Sequence, residues 1–121
     1  MAKILIVDDD ASLASVFATA LKSAGYEVIT AIDGTSGLEQ AKTQRPNFII
    51  LDQVLPDIQG NEVLQTLKQE GETKNIPVAM LSNFGQDELV KAAINAGAVD
   101  YILKYQIEPQ DLVNKLKELI K

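Results

Sequence analysis

The sequence contains no cysteine, no histidine and no tryptophan. Without cysteine it can form no disulfide, no thiolate nucleophile and no thiolate-bound metal site. Without histidine it lacks the commonest general base and the commonest ligand of transition metals. Any chemistry must therefore use carboxylates, lysines, hydroxyl groups or a hard cation that is bound by oxygen atoms.

Positive charge and long apolar runs are also scarce. The chain has 11 Lys and Arg residues and 17 Asp and Glu residues, which gives a net charge of −6. Nucleic-acid binding without sequence preference needs a basic face, so we expect no nucleic-acid partner. The first apolar run, residues 4–7, stops at three aspartates and resembles neither a signal peptide nor a membrane span. We therefore expect a cytoplasmic protein without membrane contact.

Short apolar segments alternate with amphipathic ones along the whole chain. The apolar segments are too short for helices and predict strands over residues 4–7, 26–31, 48–51, 76–81 and 99–103. After each of them, apolar residues recur at three- and four-residue spacing, as on one face of a helix. Five strand–helix units in succession predict one α/β domain over residues 1–121, with a parallel sheet covered by helices on both faces.

Polar side chains follow four of the predicted strands. Parallel sheets bind ligands at the carboxyl ends of their strands, so these side chains define a candidate site. The second strand ends only in a turn, which is typical of an edge strand. The candidate site residues are Asp8 and Asp9 after the first strand, Asp52 after the third, Ser82 after the fourth and Lys104 after the fifth.

The residue types at this site favour phosphoryl chemistry. Neighbouring carboxylates raise one another's pKa or bind a cation, and oxygen ligands without histidine or cysteine suit Mg²⁺. The ammonium group of Lys104 and the hydroxyl of Ser82 are both suited to phosphoryl oxygens. If Asp52 is the nucleophile, the product is an aspartyl phosphate.

The ordered motifs of the chain resemble those of bacterial two-component response-regulator receiver domains. The motifs are Ile4-Leu5-Ile6-Val7-Asp8-Asp9, Leu51-Asp52 with Pro56 and Gly60, Leu81-Ser82, and Asp100-Tyr101 with Lys104. Each motif is weak alone, but their order and positions are specific, and the resemblance covers residues 3–120. It implies a flavodoxin-like, doubly wound sheet with strand order 2-1-3-4-5.

The resemblance also implies a role for each site residue. A histidine kinase or phosphotransfer protein would supply the phosphoryl group, and no separate substrate would be turned over. The implied roles are phosphoacceptor for Asp52, Mg²⁺ ligands for Asp8, Asp9, Asp52 and the Val54 backbone carbonyl, site lysine for Lys104, and switch residues for Ser82 and Tyr101.

The partners follow from the same resemblance. The last two helices and the strand between them would contact a downstream protein target, and the resemblance allows a homodimer. Since no DNA-binding segment follows Lys121, we expect a stand-alone receiver domain that acts through protein contacts.

The chain departs from the family pattern near the site. Tyr105 follows Lys104 where the family usually has proline after a cis bond, and a cis bond before a residue other than proline costs about 3–4 kcal/mol. We therefore predict a trans Lys104–Tyr105 bond and a rearranged loop over residues 104–106. Asn83, next to Ser82, is larger than the small residue that the family usually has at this position. Val54 and Phe84 are apolar and stand at positions that, in the family, influence the attack of water on the phosphoryl group. Apolar residues there predict a long-lived phosphoryl group.

Three other functions fit parts of the pattern. A receiver-like interaction module that works without phosphorylation would not need the complete set of acids and lysine. An aspartate-nucleophile phosphatase would have a second acid two residues after Asp52, where this chain has Val54. A flavodoxin-like flavin carrier would have small and hydroxyl residues after the first strand, where three acids would repel phosphate.

Overall fold

The computed structural model describes residues 2–120 and has a five-stranded parallel sheet in the order β2-β1-β3-β4-β5. This confirms the predicted architecture and strand order. The strands are β1 (Lys3–Val7), β2 (Glu27–Ala31), β3 (Phe48–Leu51), β4 (Val78–Ser82) and β5 (Asp100–Leu103). The helices are α1 (Ala11–Ser23), α2 (Gly34–Gln44), α3 (Gly60–Gln69), α4 (Asp87–Asn95) and α5 (Pro109–Leu119).

The helices cover the two faces of the sheet and divide the core into two layers. One layer joins the sheet to α1 and α5 through side chains such as Phe17 and Leu116. The other joins it to α2, α3 and α4 through side chains such as Leu64 and Ala93. Strand β3 is buried on both faces, whereas β2 at the edge is partly exposed, as its alternating sequence predicts.

The register of the sheet brings the ends of its central strands together. Val7 of β1 pairs with Leu51 of β3, and Leu51 pairs with Met80 of β4. The backbone N–H of Asp52 donates to the Val7 carbonyl at 2.9 Å, so the pairing continues one residue past β3. The residues that follow these strands therefore lie at one edge of the sheet.

Several element boundaries differ from the predicted ones. Strand β4 begins at Val78 and β5 at Asp100, two residues and one residue later than predicted. Helix α3 ends at Gln69 with Glu70 as its C-cap, so Gly71 directly follows the cap. There the buried hydroxyl of Thr73 donates to the Leu67 carbonyl at 2.6 Å and satisfies an acceptor of the last helical turn.

The loop after β5 contains the peptide bond that the sequence predicts to be trans. Residues 104–106 form a short 3₁₀ helix, and no peptide bond within residues 2–120 is cis. The Lys104–Tyr105 bond is therefore trans, as predicted. The Tyr105 side chain is 68% exposed and does not fill the site beside Lys104.

Candidate functional site

Lys104 connects two buried aspartates at the carboxyl edge of the sheet. Its Nζ atom lies 2.8 Å from Asp8 Oδ2 and 3.0 Å from Asp52 Oδ2. All three side chains are at most 8% exposed. The other oxygen of Asp8 accepts a hydrogen bond from the Asp10 backbone N–H at 2.9 Å. Buried charges are stable only when they are paired, and one ammonium group here pairs with two carboxylates.

Asp9 completes a group of three acids whose side chains approach one another closely. One carboxylate oxygen from each of Asp8, Asp9 and Asp52 lies within 4.8 Å of the other two. Asp8 and Asp52 are buried, but Asp9 is exposed, so the group is open to solvent on one side. The predicted cluster of three carboxylates is therefore assembled, with two acids inside the fold and one at its surface.

The environment of Asp52 raises the pKa of its carboxyl above the ordinary value for an aspartate. Burial raises the pKa of Asp52 from 3.8 to about 6, although the hydrogen bond and the charge of Lys104 oppose the shift. The charge of Asp8 adds to it. Burial works against the ammonium form of Lys104, but its hydrogen bonds to Asp8 and Asp52 outweigh burial and raise the lysine pKa.

This raised pKa predicts a pH-dependent stability. The Asp52 carboxyl has a pKa of about 6 in the folded chain, and its ordinary value of 3.8 applies to the unfolded chain. Its contribution to stability is therefore fully present below pH 3.8 and is lost as the pH rises through 6. Without divalent cations, Asp52→Asn should therefore stabilise the protein more at pH 7.5 than at pH 4.5. We expect the difference to be about 1–2 kcal/mol, after allowing for solvent screening.

Urea unfolding followed by circular dichroism measures this difference. The control is Glu72→Gln, which changes an exposed acid in the loop after α3 that has no side-chain hydrogen bond or ion pair among the described contacts. An Asp52→Asn effect that is the same at both pH values would contradict the raised pKa.

Ser82 and Tyr101 both bond to Phe84 in the loop after β4. The buried Ser82 Oγ accepts a hydrogen bond from the Phe84 N–H at 3.0 Å. The Tyr101 hydroxyl donates to the Phe84 carbonyl at 2.7 Å. Burial raises the pKa of Tyr101. Both predicted switch residues therefore contact one loop, and neither bonds to Asp52 or Lys104 among the described contacts.

Val54, the remaining predicted site residue, lies beside Asp52 at the solvent boundary. Its backbone N–H is 3.5 Å from Asp52 Oδ1, a long hydrogen bond, and its side chain is 51% exposed. Phe84, on the facing loop, is 44% exposed. Val54 and Phe84 line one groove together with Gln53, the residue that follows Asp52.

Asp57 fixes the loop between β3 and α3, a role that the sequence analysis does not predict. Its carboxylate accepts hydrogen bonds from the N–H groups of Gly34 and Thr35 at 2.8 and 2.9 Å. It also accepts from the Thr35 hydroxyl at 2.6 Å and the Ile58 N–H at 2.9 Å. The bond from the Thr35 hydroxyl makes the largest contribution to holding the Asp57 pKa well below its usual range. Asp57 thereby ties the loop that carries Val54 to the first turn of α2.

The donor atoms at the site fit a hard divalent cation. Three carboxylates supply oxygen atoms at close range, and the exposed Asp9 leaves room for water ligands, which Mg²⁺ usually retains. No nitrogen or sulfur ligand of the kind that zinc prefers can be present, because the chain has no histidine or cysteine. The acidic group therefore could hold a metal ion.

Fold and site together define a receiver-type α/β domain, in which acids and a lysine meet at the carboxyl edge of a parallel sheet. Residues 4–117 match the family described as response regulator receiver domain. The chain belongs to this family. As a receiver domain, it is a phosphoacceptor signalling switch of the two-component type.

Individual relatives support this assignment. The chain is 34% identical over 121 residues to the DNA-binding dual master transcriptional regulator RpaA of Synechocystis, covering 100% of this chain and 50% of that protein. The chain thus spans about half the length of the curated relatives that it matches.

Two solved structures have the same fold. A CheY-like response regulator receiver domain protein from Methanospirillum hungatei is 32% identical, with a TM-score of 0.93 over 99% of this chain and 94% of that one. The chemotaxis response regulator CheY4 of Vibrio cholerae is also 32% identical, with a TM-score of 0.90 over 98% of both chains.

Proposed function

We propose that Asp52 accepts a phosphoryl group from a histidine kinase or a phosphotransfer protein, in a reaction that requires Mg²⁺. The observation that carries the proposal is the Lys104 ammonium, which lies within 3.0 Å of both Asp8 and Asp52. A fixed positive charge beside a carboxylate nucleophile offsets the negative charge that develops during phosphoryl transfer.

The ionisation of Asp52 is compatible with this role. With a pKa of about 6, Asp52 is mostly ionised near pH 7 and can attack phosphorus through a carboxylate oxygen. Burial removes most of the water that would otherwise hydrate this oxygen. The phosphorus–nitrogen bond to the donor histidine breaks as the phosphorus–oxygen bond to Asp52 forms, and the histidine leaves with the bonding electrons.

Asp8, Asp9 and Asp52 would hold Mg²⁺, joined by the backbone carbonyl of Val54. The ion would supply positive charge for the phosphoryl oxygens. Within the protein, Lys104 holds Asp8 and Asp52 in place, and Asp57 fixes the loop on which Val54 lies. The close approach of the three acids supports this assignment.

Ser82 and Tyr101 would form the switch that reports the phosphoryl group. A Ser82 hydroxyl drawn toward a phosphoryl oxygen would lose its hydrogen bond from the Phe84 N–H. Because Tyr101 bonds to the carbonyl of the same residue, a shift of this loop would reach the surface of β5. Residues of α4, β5 and α5 would then contact the downstream protein target.

We also propose that residues 1–121 act through protein contacts, without binding nucleic acid or membranes and without turning over a separate substrate. The net charge of −6 would repel phosphate backbones and anionic lipids. No helix within residues 2–120 is long and apolar enough to cross a membrane. A cytoplasmic location accords with a kinase as donor.

Mass spectrometry after incubation with acetyl phosphate and Mg²⁺ tests the phosphoacceptor. The wild type should gain the mass of one phosphoryl group, and Asp52→Asn should gain none. The matched control is Asp87→Asn, which changes an exposed acid in the first turn of α4 and should keep the modification. Modification of Asp52→Asn at the wild-type rate would contradict the assignment, and an unmodified wild type would favour an interaction module that works without phosphorylation.

The lifetime of the phosphoryl group should depend on the two apolar side chains at the site boundary. Val54 and Phe84 cannot position water through hydrogen bonds, so we expect slow hydrolysis in the wild type. Val54→Asn and Phe84→Glu should each shorten the lifetime, measured as the decay of the modified mass in Mg²⁺ buffer. Faster decay in the wild type than in both variants would contradict this explanation.

A further inference from the structure

Gln53 and Asn61 carry buried polar atoms that have no hydrogen-bond partner. Within residues 2–120, every buried side-chain nitrogen or oxygen atom without a partner belongs to these two residues: Gln53 Nε2, Gln53 Oε1 and Asn61 Oδ1. Nearly all buried polar groups in folded proteins are paired, because burial without a partner is costly. The present arrangement is therefore less stable than one in which the donor of Gln53 meets the acceptor of Asn61.

The two residues connect the proposed phosphoacceptor to α4. Gln53 directly follows Asp52, and its carbonyl accepts a hydrogen bond from the Gly60 N–H at 2.7 Å. Asn61 is the next residue after Gly60, and its Nδ2 atom donates to the Leu89 carbonyl of α4 at 3.4 Å. Gln53 and Leu89 also line one groove. The side chains of Gln53 and Asn61 thus lie near the same turn of α4.

The bond from Asn61 to α4 is the weak part of this connection. Its length of 3.4 Å exceeds the range of about 2.7–3.2 Å that is usual for a bond from N–H to oxygen. Turning the Asn61 amide over does not help, because Oδ1 would then meet the Leu89 carbonyl, and two acceptors cannot bond. A small displacement of α4 would break this bond and free the Asn61 side chain to accept from Gln53.

We propose that Gln53 Nε2 and Asn61 Oδ1 are a latent hydrogen-bond pair, which is open in this structure and closes when phosphorylation displaces α4. This inference rests on the proposed function, in which the Ser82 hydroxyl is drawn toward the phosphoryl group. Residues 83–86 join Ser82 to α4, so a shift of this loop reaches the helix. The closed pair stabilises the phosphorylated state, and it links Asp52 to α4 through the start of α3.

Spectra of the wild type test the proposal without any variant. The probe is beryllium trifluoride with Mg²⁺, which binds a carboxylate as an analogue of the phosphoryl group. In ¹H–¹⁵N spectra, binding should move one Gln53 side-chain amide proton downfield, because that proton enters a hydrogen bond. Nuclear Overhauser cross-peaks from this proton to the Asn61 side chain should strengthen at the same time.

Three outcomes of these spectra would overturn the inference. Unchanged Gln53 side-chain signals, while the Lys104 and Val54 backbone signals report binding of the probe, would leave the proposed function intact and remove the pair. A Gln53–Asn61 bond in the free protein, or an ordered water on both amides in both states, would also remove it. If acetyl phosphate adds no mass at Asp52, the proposed function fails and the inference fails with it.

A double-mutant cycle measures the coupling between the two side chains. Gln53→Leu should weaken binding of beryllium trifluoride by roughly five- to tenfold, the usual effect of losing one hydrogen bond. In an Asn61→Ala background the same change should have no effect, because the acceptor is already absent. Equal weakening in both backgrounds would overturn the proposal. Since the Gln53 side chain has no partner in this structure, leucine removes no hydrogen bond, and Gln53→Leu should remain folded.

Discussion

Replacing Lys104 with methionine is expected to slow phosphorylation of Asp52 by acetyl phosphate by about 10²–10³-fold. This is the usual loss when one group that stabilises developing charge is removed. The same change should raise Mg²⁺ affinity by roughly tenfold or more, because the ammonium group competes with the cation for Asp8 and Asp52. The two effects have opposite signs, so general damage to the site cannot produce both.

Rates from mass spectrometry and a Mg²⁺ titration followed by NMR separate these effects. The control is Lys115→Met, which removes a lysine whose Nζ lies 3.0 Å from Asp100 on the surface, with side chains that are 45% and 33% exposed. This control should change neither quantity appreciably, because exposed ion pairs contribute little. If Lys104→Met lowered the rate and the Mg²⁺ affinity together, the lysine would be a structural support for the acids rather than a charge that acts on the phosphoryl group.

The sequence could predict the positions of Asp8, Asp52, Ser82 and Lys104 because each lies at the carboxyl end of a strand or directly after it. In a parallel sheet, the strand order determines which strand ends are neighbours. Four buried strand ends in a known order leave little freedom for the side chains that follow them. The strand order itself came from the resemblance to receiver domains, since apolar periodicity does not distinguish one order from another.

Contacts between loops could not be predicted in the same way. Asp57 lies in a Pro/Gly-bounded loop and has the local signature of a turn acid, but its carboxylate accepts bonds from Gly34 and Thr35, more than twenty residues earlier. The position of that loop relative to α2 decides this contact, and sequence spacing does not encode it. The unpaired amide of Gln53 is similar, because only the packing around a glutamine shows whether it reaches water.

The differences at element ends have local causes. Pro77 lacks an N–H and was expected within the fourth strand, but the regular strand begins only at Val78. The end of α3 agrees with its glycine signal, because the C-cap Glu70 directly precedes Gly71. The Thr73 hydroxyl adds a bond to the Leu67 carbonyl that sequence spacing does not predict.

Gly60 is the point at which α3 approaches the backbone of the site most closely. A Cβ atom at this position would lie 2.3 Å from the Asp52 carbonyl oxygen and 2.7 Å from Gln53 Cα. The Gly60 N–H also donates to the Gln53 carbonyl at 2.7 Å, which holds the two segments together. Both obstructing atoms belong to the backbone, so no side-chain rotation can relieve the contact. Glycine is required here because the start of α3 rests directly on the residue pair that contains the proposed phosphoacceptor.

Gly60→Ala should therefore destabilise the fold by about 3 kcal/mol or more, which lies at the upper end for overpacked sites. Alanine favours helices more than glycine does, so helix propensity alone predicts the opposite sign. The control is Gly71→Ala, where a Cβ atom would meet nothing within 4 Å, and we expect a change within about 0.5 kcal/mol. Urea unfolding measures both variants. If Gly60→Ala were as stable as Gly71→Ala, the start of α3 could move away from Asp52 at little cost, and the site would be less rigid than its packing indicates.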